Sequence, residues 1–223
     1  MAAAKSSRTI DWTGAQSEAD TVRAIAAVLV DLPTIDVAGT LFRAVYLKYL
    51  LPIDGSKPEP LYFLGSLAGG RYTPRHGPAG LYLGFDPSTL PAELRTVLFD
   101  HGRPTKTKEH DPVLTVSVRA RVSRVLDLTK PSVQRALGLT KAMLLSDWET
   151  EMKAYLAGHG PMPPTQLLAL AAHLTGLFAG IKYPSARTSF GKNLVVFPDR
   201  LDAALGDELS VIDSKKRFRQ RLP

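Results

Sequence analysis

The chain has 223 residues, 44% of them hydrophobic, which suits one domain with a proper buried core. It contains no cysteine, and this excludes disulfides, thiolate nucleophiles and Cys-ligated zinc. A formal net charge of +7 favours acidic partners such as nucleic acid, a phosphorylated small molecule or an acidic protein.

Residues 1–14 are polar and read as frayed. Ser17 and Asp20 stand at capping-box spacing, although Glu or Gln is the more usual partner. Val22, Ile25, Ala26, Leu29 and Val30 then follow helical spacing, and Pro33 stops that helix. Residues 40–47, TLFRAVYL, form a β-type run carrying Arg43. Residues 52–60 are a Pro-, Gly- and Ser-containing loop, and residues 61–70 are apolar and glycine-rich. A short strand is expected over 80–85 and a turn at Asp86-Pro87-Ser88. A helix containing Glu93 is expected over 90–99, then a charged loop over 100–112. Two strands follow, one from Val113 to near Ala120 and one over 122–128. Residues 132–156 read as one or two helices with Gly138 as a break. After a loop over 158–164, Thr165 caps a helix reaching Phe178. Strands are expected over 180–184, 193–197 and 209–212. The basic cluster KKRFRQR at 215–221 reads as a solvated tail. Strands and helices intersperse without a βαβ period, so the fold class is α+β.

Several functions lack their signatures. There is no Walker-type phosphate loop, no dinucleotide fingerprint and no nucleophile elbow. His76, His101, His110, His159 and His173 show no metal-ligand spacing, so no metal is expected. Aromatic residues make up 8% and do not interleave with the basic ones, which argues against RNA binding by stacking. No apolar run approaches the roughly 20 residues that span a bilayer, and the first ten residues lack the apolar core of a signal peptide. The expected location is the cytoplasm.

Five segments in order resemble the RES-domain family. They are Leu41-Phe42-Arg43-Ala44, Gly69-Gly70-Arg71-Tyr72, Gly80-Leu81-Tyr82-Leu83, Ala92-Glu93, and the pair formed by Tyr183-Pro184-Ser185-Ala186-Arg187 with Gly191-Lys192-Asn193-Leu194-Val195-Val196-Phe197. The likeness covers residues 40–223 and leaves 1–39 as an N-terminal extension with one helix. Tyr72 stands where the family more often has tryptophan, and a helical insert near 130–165 exceeds a minimal member. The resemblance implies an ADP-ribosyltransferase-like mixed β-sheet core with flanking helices. It also implies the toxin of a bacterial type II toxin–antitoxin pair that consumes NAD. NAD is then a substrate, and no prosthetic group is implied. The implied partner is a small helical DNA-binding antitoxin that blocks the active site in a hetero-oligomer. Neither a membrane nor direct nucleic-acid binding is expected.

The chemistry of NAD gives these residues roles. Breaking the nicotinamide–ribose bond builds positive charge on the ribose, as in glycoside cleavage. Arg71 suits the pyrophosphate, because a guanidinium forms bidentate bonds to phosphate oxygens and stays charged. Tyr82 suits the nicotinamide, by stacking or through its hydroxyl. Glu93 suits the ribose and the oxocarbenium, and it can orient the incoming water or phosphate. Ser185 suits the ribose or a phosphate, while Arg43, Tyr72, Arg187 and Asn193 are further NAD-binding candidates. Taken singly, each has an ordinary reading: Arg71 an ion pair, Tyr82 a core residue, Glu93 a solvated helix face, Ser185 a turn or cap. Three functions compete. NAD phosphorolysis or hydrolysis leads, followed by mono-ADP-ribosyl transfer to a target protein that the helical insert would recognise. A silent basic binding module is the third.

Overall fold

The computed structural model describes residues 10–47, 50, 63, 69–90, 97–100, 103–107, 112–212 and 219–223. Helix α1 (Glu18–Leu29) starts where the Ser17 side chain accepts the Asp20 N–H, and Glu18 and Asp20 place negative charge at its positive end. Strand β1 (Ile35–Tyr46) follows after Pro33. Next come β2 (Leu81–Gly84), a 3-10 turn (Pro87–Thr89), β3 (Val97–Asp100), β4 (Arg103–Thr107) and β5 (Val113–Asp127). Short helices α2 (Pro131–Ala136), α3 (Lys141–Leu145) and α4 (Trp148–Leu156) lead to α5 (Pro164–Thr175). Strands β6 (Gly180–Pro184), β7 (Lys192–Val196), β8 (Glu208–Ile212) and β9 (Arg219–Leu222) complete the chain.

Seven strands form a mixed sheet in the order β1-β2-β7-β6-β5-β8-β9, and β3 pairs with β4 in a separate ribbon. Strand β1 bonds β2 at Phe42↔Gly84 and runs antiparallel to β5 from Ile35↔Val125 to Tyr46↔Val113. The sheet therefore closes on itself through β1, β2, β7, β6 and β5. Period-two alternation gives this ring an inside and an outside. Leu41, Leu81, Leu83, Val118, Val122, Leu194 and Val196 fill the inside. The outer faces of β2, β6 and β7 pack with α1 and α5 in a second cluster, which holds Ile25, Leu29, Tyr72, Leu168, Ile181, Tyr183 and Val195. This is the expected α+β class, a mixed sheet with flanking helices.

Several local expectations need correction, among them the one or two helices expected over 132–156, which are three, α2, α3 and α4. Residues 97–99, expected in a helix, lie in β3, and 103–107 of the expected loop lie in β4; Val-Leu-Phe is a better strand than helix sequence. Residues 91–96, with Glu93, fall outside the described residues. The two strands expected over 113–128 are one, because β1 pairs along it from Val113 to Val125, β8 with its middle and β6 with its last residues. Its irregularity is Arg124, with a left-handed φ of 54°. The guanidinium of Arg124 donates to the carbonyls of Gly176 and Arg200. Part of the expected tail pairs with β8 as β9 (Arg219–Leu222). Finally, α5 starts at Pro164 and stops at Thr175, so Thr165 lies inside it and Gly176 ends it short of Phe178.

The α1 packing makes a testable difference within one helix. Ile25→Ala opens a fully buried site and lowers the unfolding free energy by about 2–5 kcal/mol. Val30→Ala, at a position 64% exposed, changes it by less than about 0.5 kcal/mol. Denaturant melts measure both, and equal effects would contradict the packing of α1 described above.

Candidate active site

The site begins with a tight turn over residues 70–73. Gly70 N–H donates to the Thr73 carbonyl at 2.8 Å, and Thr73 N–H returns the bond at 3.2 Å. Arg71 and Tyr72 occupy the two corners. The turn lies directly on Tyr82, whose hydroxyl accepts the Tyr72 N–H at 2.9 Å and shares a 2.9 Å hydrogen bond with Thr73 Oγ1. The contact is close enough that a Cβ on Gly70 would run into the Tyr82 hydroxyl. Only glycine fits there.

Tyr82 reaches the turn because it faces outward on β2, between inward-facing Leu81 and Leu83. Burial pushes its phenol up to about 12, against the pull of Thr73, the Tyr72 N–H and the nearby Arg71 charge. The phenol is therefore neutral at physiological pH and acts as a hydrogen-bonding group. Tyr72 is fully buried and packs on Tyr183 with ring centroids 4.4 Å apart and planes tilted by 45°. Tyr183 sits opposite Asn193 in the β6–β7 register, and Asn193 opposite Gly84 on β2. The outward faces of β2, β7 and β6 thus carry Tyr82 opposite Val195, and Asn193 opposite Tyr183 two residues along, with the 70–73 turn against Tyr82 and Tyr183.

Arg71 is only 8% exposed, and its Nη1 donates to the Leu144 carbonyl of α3 at 3.0 Å. Among the described residues no carboxylate stands within ion-pair distance of it. A charge this buried is ordinarily paired. A carbonyl orients the guanidinium without neutralising it, which leaves a cation available for an anionic group.

A second feature opens where β2 and β6 end and β7 begins. Phe85, Asp86, Ser88, Thr89, Thr188 and the Ser189–Lys192 segment line a cleft of about 410 Å³. Ligand clefts run to roughly 300–1,000 Å³. Ser185 supports its wall. The Ser185 Oγ accepts the N–H groups of Arg187 and Thr188, and Ser185 N–H donates to the Gly191 carbonyl. Gly191 is wedged so tightly that a Cβ would strike Thr188 Oγ1 and Ser185. Phe190 projects from this loop, 93% exposed. The Ser88 hydroxyl and N–H hold the rim carboxylate of Asp86 below the usual range.

The sequence-derived candidates divide accordingly. Arg71, Tyr72 and Tyr82 form one bonded cluster, with Asn193 beside it on the same sheet face. Ser185 and Arg187 belong to the cleft loop. Ser185 folds the loop, and Arg187 is exposed on it. Tyr183 and Ser185, two residues apart, connect the cluster to the cleft. Arg43 lies on the inner face of β1 with Leu41 and Val45. It meets the site from behind, through a 3.4 Å bond to the Tyr82 carbonyl, and burial lowers its pKa to about 10. Glu93 lies outside the described residues; in sequence it follows Thr89 of the cleft wall.

The sequence reading missed Thr73, Tyr183, Gln166 and the Leu144 carbonyl. Gln166 was the most visible of these, an uncharged polar side chain at the head of the apolar run LLALAAHL. A backbone carbonyl has no sequence signal.

Against known proteins, the model of the RES domain matches residues 40–218. This chain belongs to the RES-domain family. A solved structure titled as the crystal structure of the M. tuberculosis MbcT–MbcA toxin–antitoxin complex contains a similar chain. The TM-score is 0.55 at 18% identity, over 85% of this chain and 89% of that one. At that identity the likeness is one of fold. Among curated proteins none matches in sequence. Among the described residues no group of His, Asp and Glu is placed to hold a metal ion, and no helix is long and apolar enough to cross a membrane.

The raised phenol is measurable. In an ultraviolet alkaline titration, the wild-type minus Tyr82→Phe difference ionises near 12, later than the ordinary tyrosine value of about 10. Its folded value exceeds its unfolded one, so the stability it contributes is complete below about pH 10 and is lost as pH rises through the folded value. A difference curve centred near 10 would contradict the enclosure of this hydroxyl.

Proposed function

We propose that this chain is the toxin of a bacterial toxin–antitoxin module and that it cleaves the nicotinamide–ribose bond of NAD by phosphorolysis or hydrolysis. One observation carries the reading: Arg71, nearly buried and without a carboxylate partner among the described residues, held beside the neutral Tyr82 hydroxyl in a chain of the RES-domain family. A dinucleotide pyrophosphate is an anion that such a cation accepts. The cleft beside Ser185 supplies room for the rest of the molecule.

In the proposed reaction the bond from ribose C1′ to the nicotinamide nitrogen breaks. The nitrogen keeps the electron pair, and nicotinamide leaves neutral. An oxygen of water or phosphate bonds to C1′ and loses its proton. Arg71 holds the pyrophosphate, and Tyr82 offers its ring edge to the nicotinamide riboside while its hydroxyl seats the turn that carries Arg71. Glu93 receives the role of stabilising the cationic ribose and directing the nucleophile. Tyr72 and Asn193 shape the pocket beside them. Ser185 and Arg187 contact the sugar or phosphates from the loop, and Arg43 steadies β2 from inside the ring. The partner in this reading is a small helical DNA-binding antitoxin. It neutralises the toxin by filling the site, with a carboxylate facing Arg71. The cytoplasm, where NAD is abundant, is the proposed location. Transfer of ADP-ribose to a protein side chain breaks the same bond and is the second reading.

Purified protein incubated with NAD should release nicotinamide. The co-product, ADP-ribose or its phosphate ester, identifies the acceptor, and a labelled protein band in lysate would favour the second reading. Arg71→Lys keeps the charge but loses the bidentate fork. It should lower kcat/KM by roughly 10- to 150-fold, the equivalent of about 1.5–3 kcal/mol. NAD left intact with and without phosphate, and no labelled band, would refute the reading.

If the antitoxin fills this site, a high concentration of ADP-ribose slows its binding to the toxin, and Arg71→Lys weakens the complex. Surface plasmon resonance reads both. A complex indifferent to each change places the antitoxin elsewhere.

A further inference from the structure

Gln166 has no solvent exposure. It sits on α5 between Thr165 and Leu167, with Leu168 and Ala169 also in the core. Its Nε2 donates at 2.8 Å to the carbonyl of Gly70, the residue before Arg71. Its Oε1 is buried with no hydrogen-bond partner among the described residues. A buried amide acceptor left unmade destabilises the fold. The Gly70 carbonyl does not need Gln166 to be satisfied, because it already accepts the Thr73 N–H. As a structural element, then, Gln166 is a poor choice: an apolar side chain of its length would remove the orphan oxygen and leave no new one.

What Gln166 does achieve is a fixed point. The 70–73 turn has Tyr82 beneath it, through Tyr72 N–H and Thr73 Oγ1. The Arg71 head is held by the Leu144 carbonyl of α3. The Gln166 bond ties the Gly70 side of the turn to α5. The geometry points to Gln166 as the positioning residue that sets the Arg71 guanidinium in the direction of its ligand. The inference rests on the reading of Arg71 as the pyrophosphate ligand for its effect on NAD, and stands apart from that reading for its effect on Arg71. It also gives α3 and α5 a task other than target recognition: they aim the cation.

The test compares Gln166→Met and Gln166→Glu with wild type. Gln166→Met is expected to melt at the same temperature as wild type or higher, while KM for NAD rises about 10- to 100-fold with a smaller change in kcat, the scale of a small misplacement of a binding group. Gln166→Glu is expected to resemble it at neutral pH and to recover as pH falls, because the protonated carboxyl again donates to Gly70. The independent readout is ¹⁵N NMR of the Arg71 guanidinium, assigned through Arg71→Lys. Wild type shows resolved, slowly rotating Nη signals, and Gln166→Met shows averaged ones. Averaged Arg71 signals with a raised KM support the inference. Unchanged Arg71 signals overturn it, whatever happens to NAD. Averaged signals in a protein whose wild type neither binds nor cleaves NAD uphold the positioning and refute the pyrophosphate reading.

Discussion

The site depends on one hydrogen-bonded contact, that between the Tyr82 hydroxyl and the 70–73 turn. A hydroxyl in the outer layer of a sheet needs partners once it is covered. Here the partners are a backbone N–H and a threonine hydroxyl belonging to one turn. Satisfying Tyr82 therefore seats the turn, and the turn carries Arg71. The absence of a side chain on Gly70 lets the two approach. The energetic demand of a buried phenol thus becomes a positional constraint on a guanidinium.

Period-two alternation explains why the candidates divide between two faces. The Phe42↔Gly84 register sets Arg43 beside inward-facing Leu83 and leaves Tyr82 on the outer face. Closure puts the inward residues of β1, β2, β5, β6 and β7 into an apolar interior, which Leu50, Phe63 and Ala179 help to fill. Arg43 is a charged group at that inner face, and burial lowers its pKa. Its guanidinium escapes full desolvation by reaching the Tyr82 carbonyl. It supports the strand that bears the phenol without sharing its surface.

The parts of the fold that were legible in the sequence are those where one periodicity decides the outcome. The Ser17 cap and the spacing of Val22, Ile25 and Leu29 place α1 almost to the residue, and NLVVF is the strand it resembles. The failures come where tertiary pairing overrides local pattern. Residues 113–127 read as two strands with a break after Ala120, yet β1 and β8 pair across that break and keep the backbone continuous. The basic terminus reads as solvated, yet β8 offers it an edge, and Arg221 lies 3.3 Å from Glu208. At the site, the residue types were legible because cations, phenols and carboxylates have few chemical roles. Their grouping was not. That Tyr72 stacks on Tyr183, that Ser185 folds a loop, and that Leu144 offers Arg71 its carbonyl are facts of long-range register, which no local window contains.

The segment before the family match is joined to the site by packing. Trp12 donates its indole N–H to the Leu137 carbonyl at the end of α2. Ile25 and Leu29 are fully buried in the same cluster as Tyr72 and Leu168. Gly14 lies against Pro161, just before α5 begins. Helix α1 therefore packs against α5, the helix that offers Gln166 to Gly70. Helix positions in a packed core are set by what lies on both sides, because interiors are dense and transmit displacement. Residues 10–29 thus reach Arg71 through two layers: α1 fixes α5, and α5 fixes the turn. Among the described residues, then, the hold on this cation is a carbonyl and a packed turn and not a carboxylate.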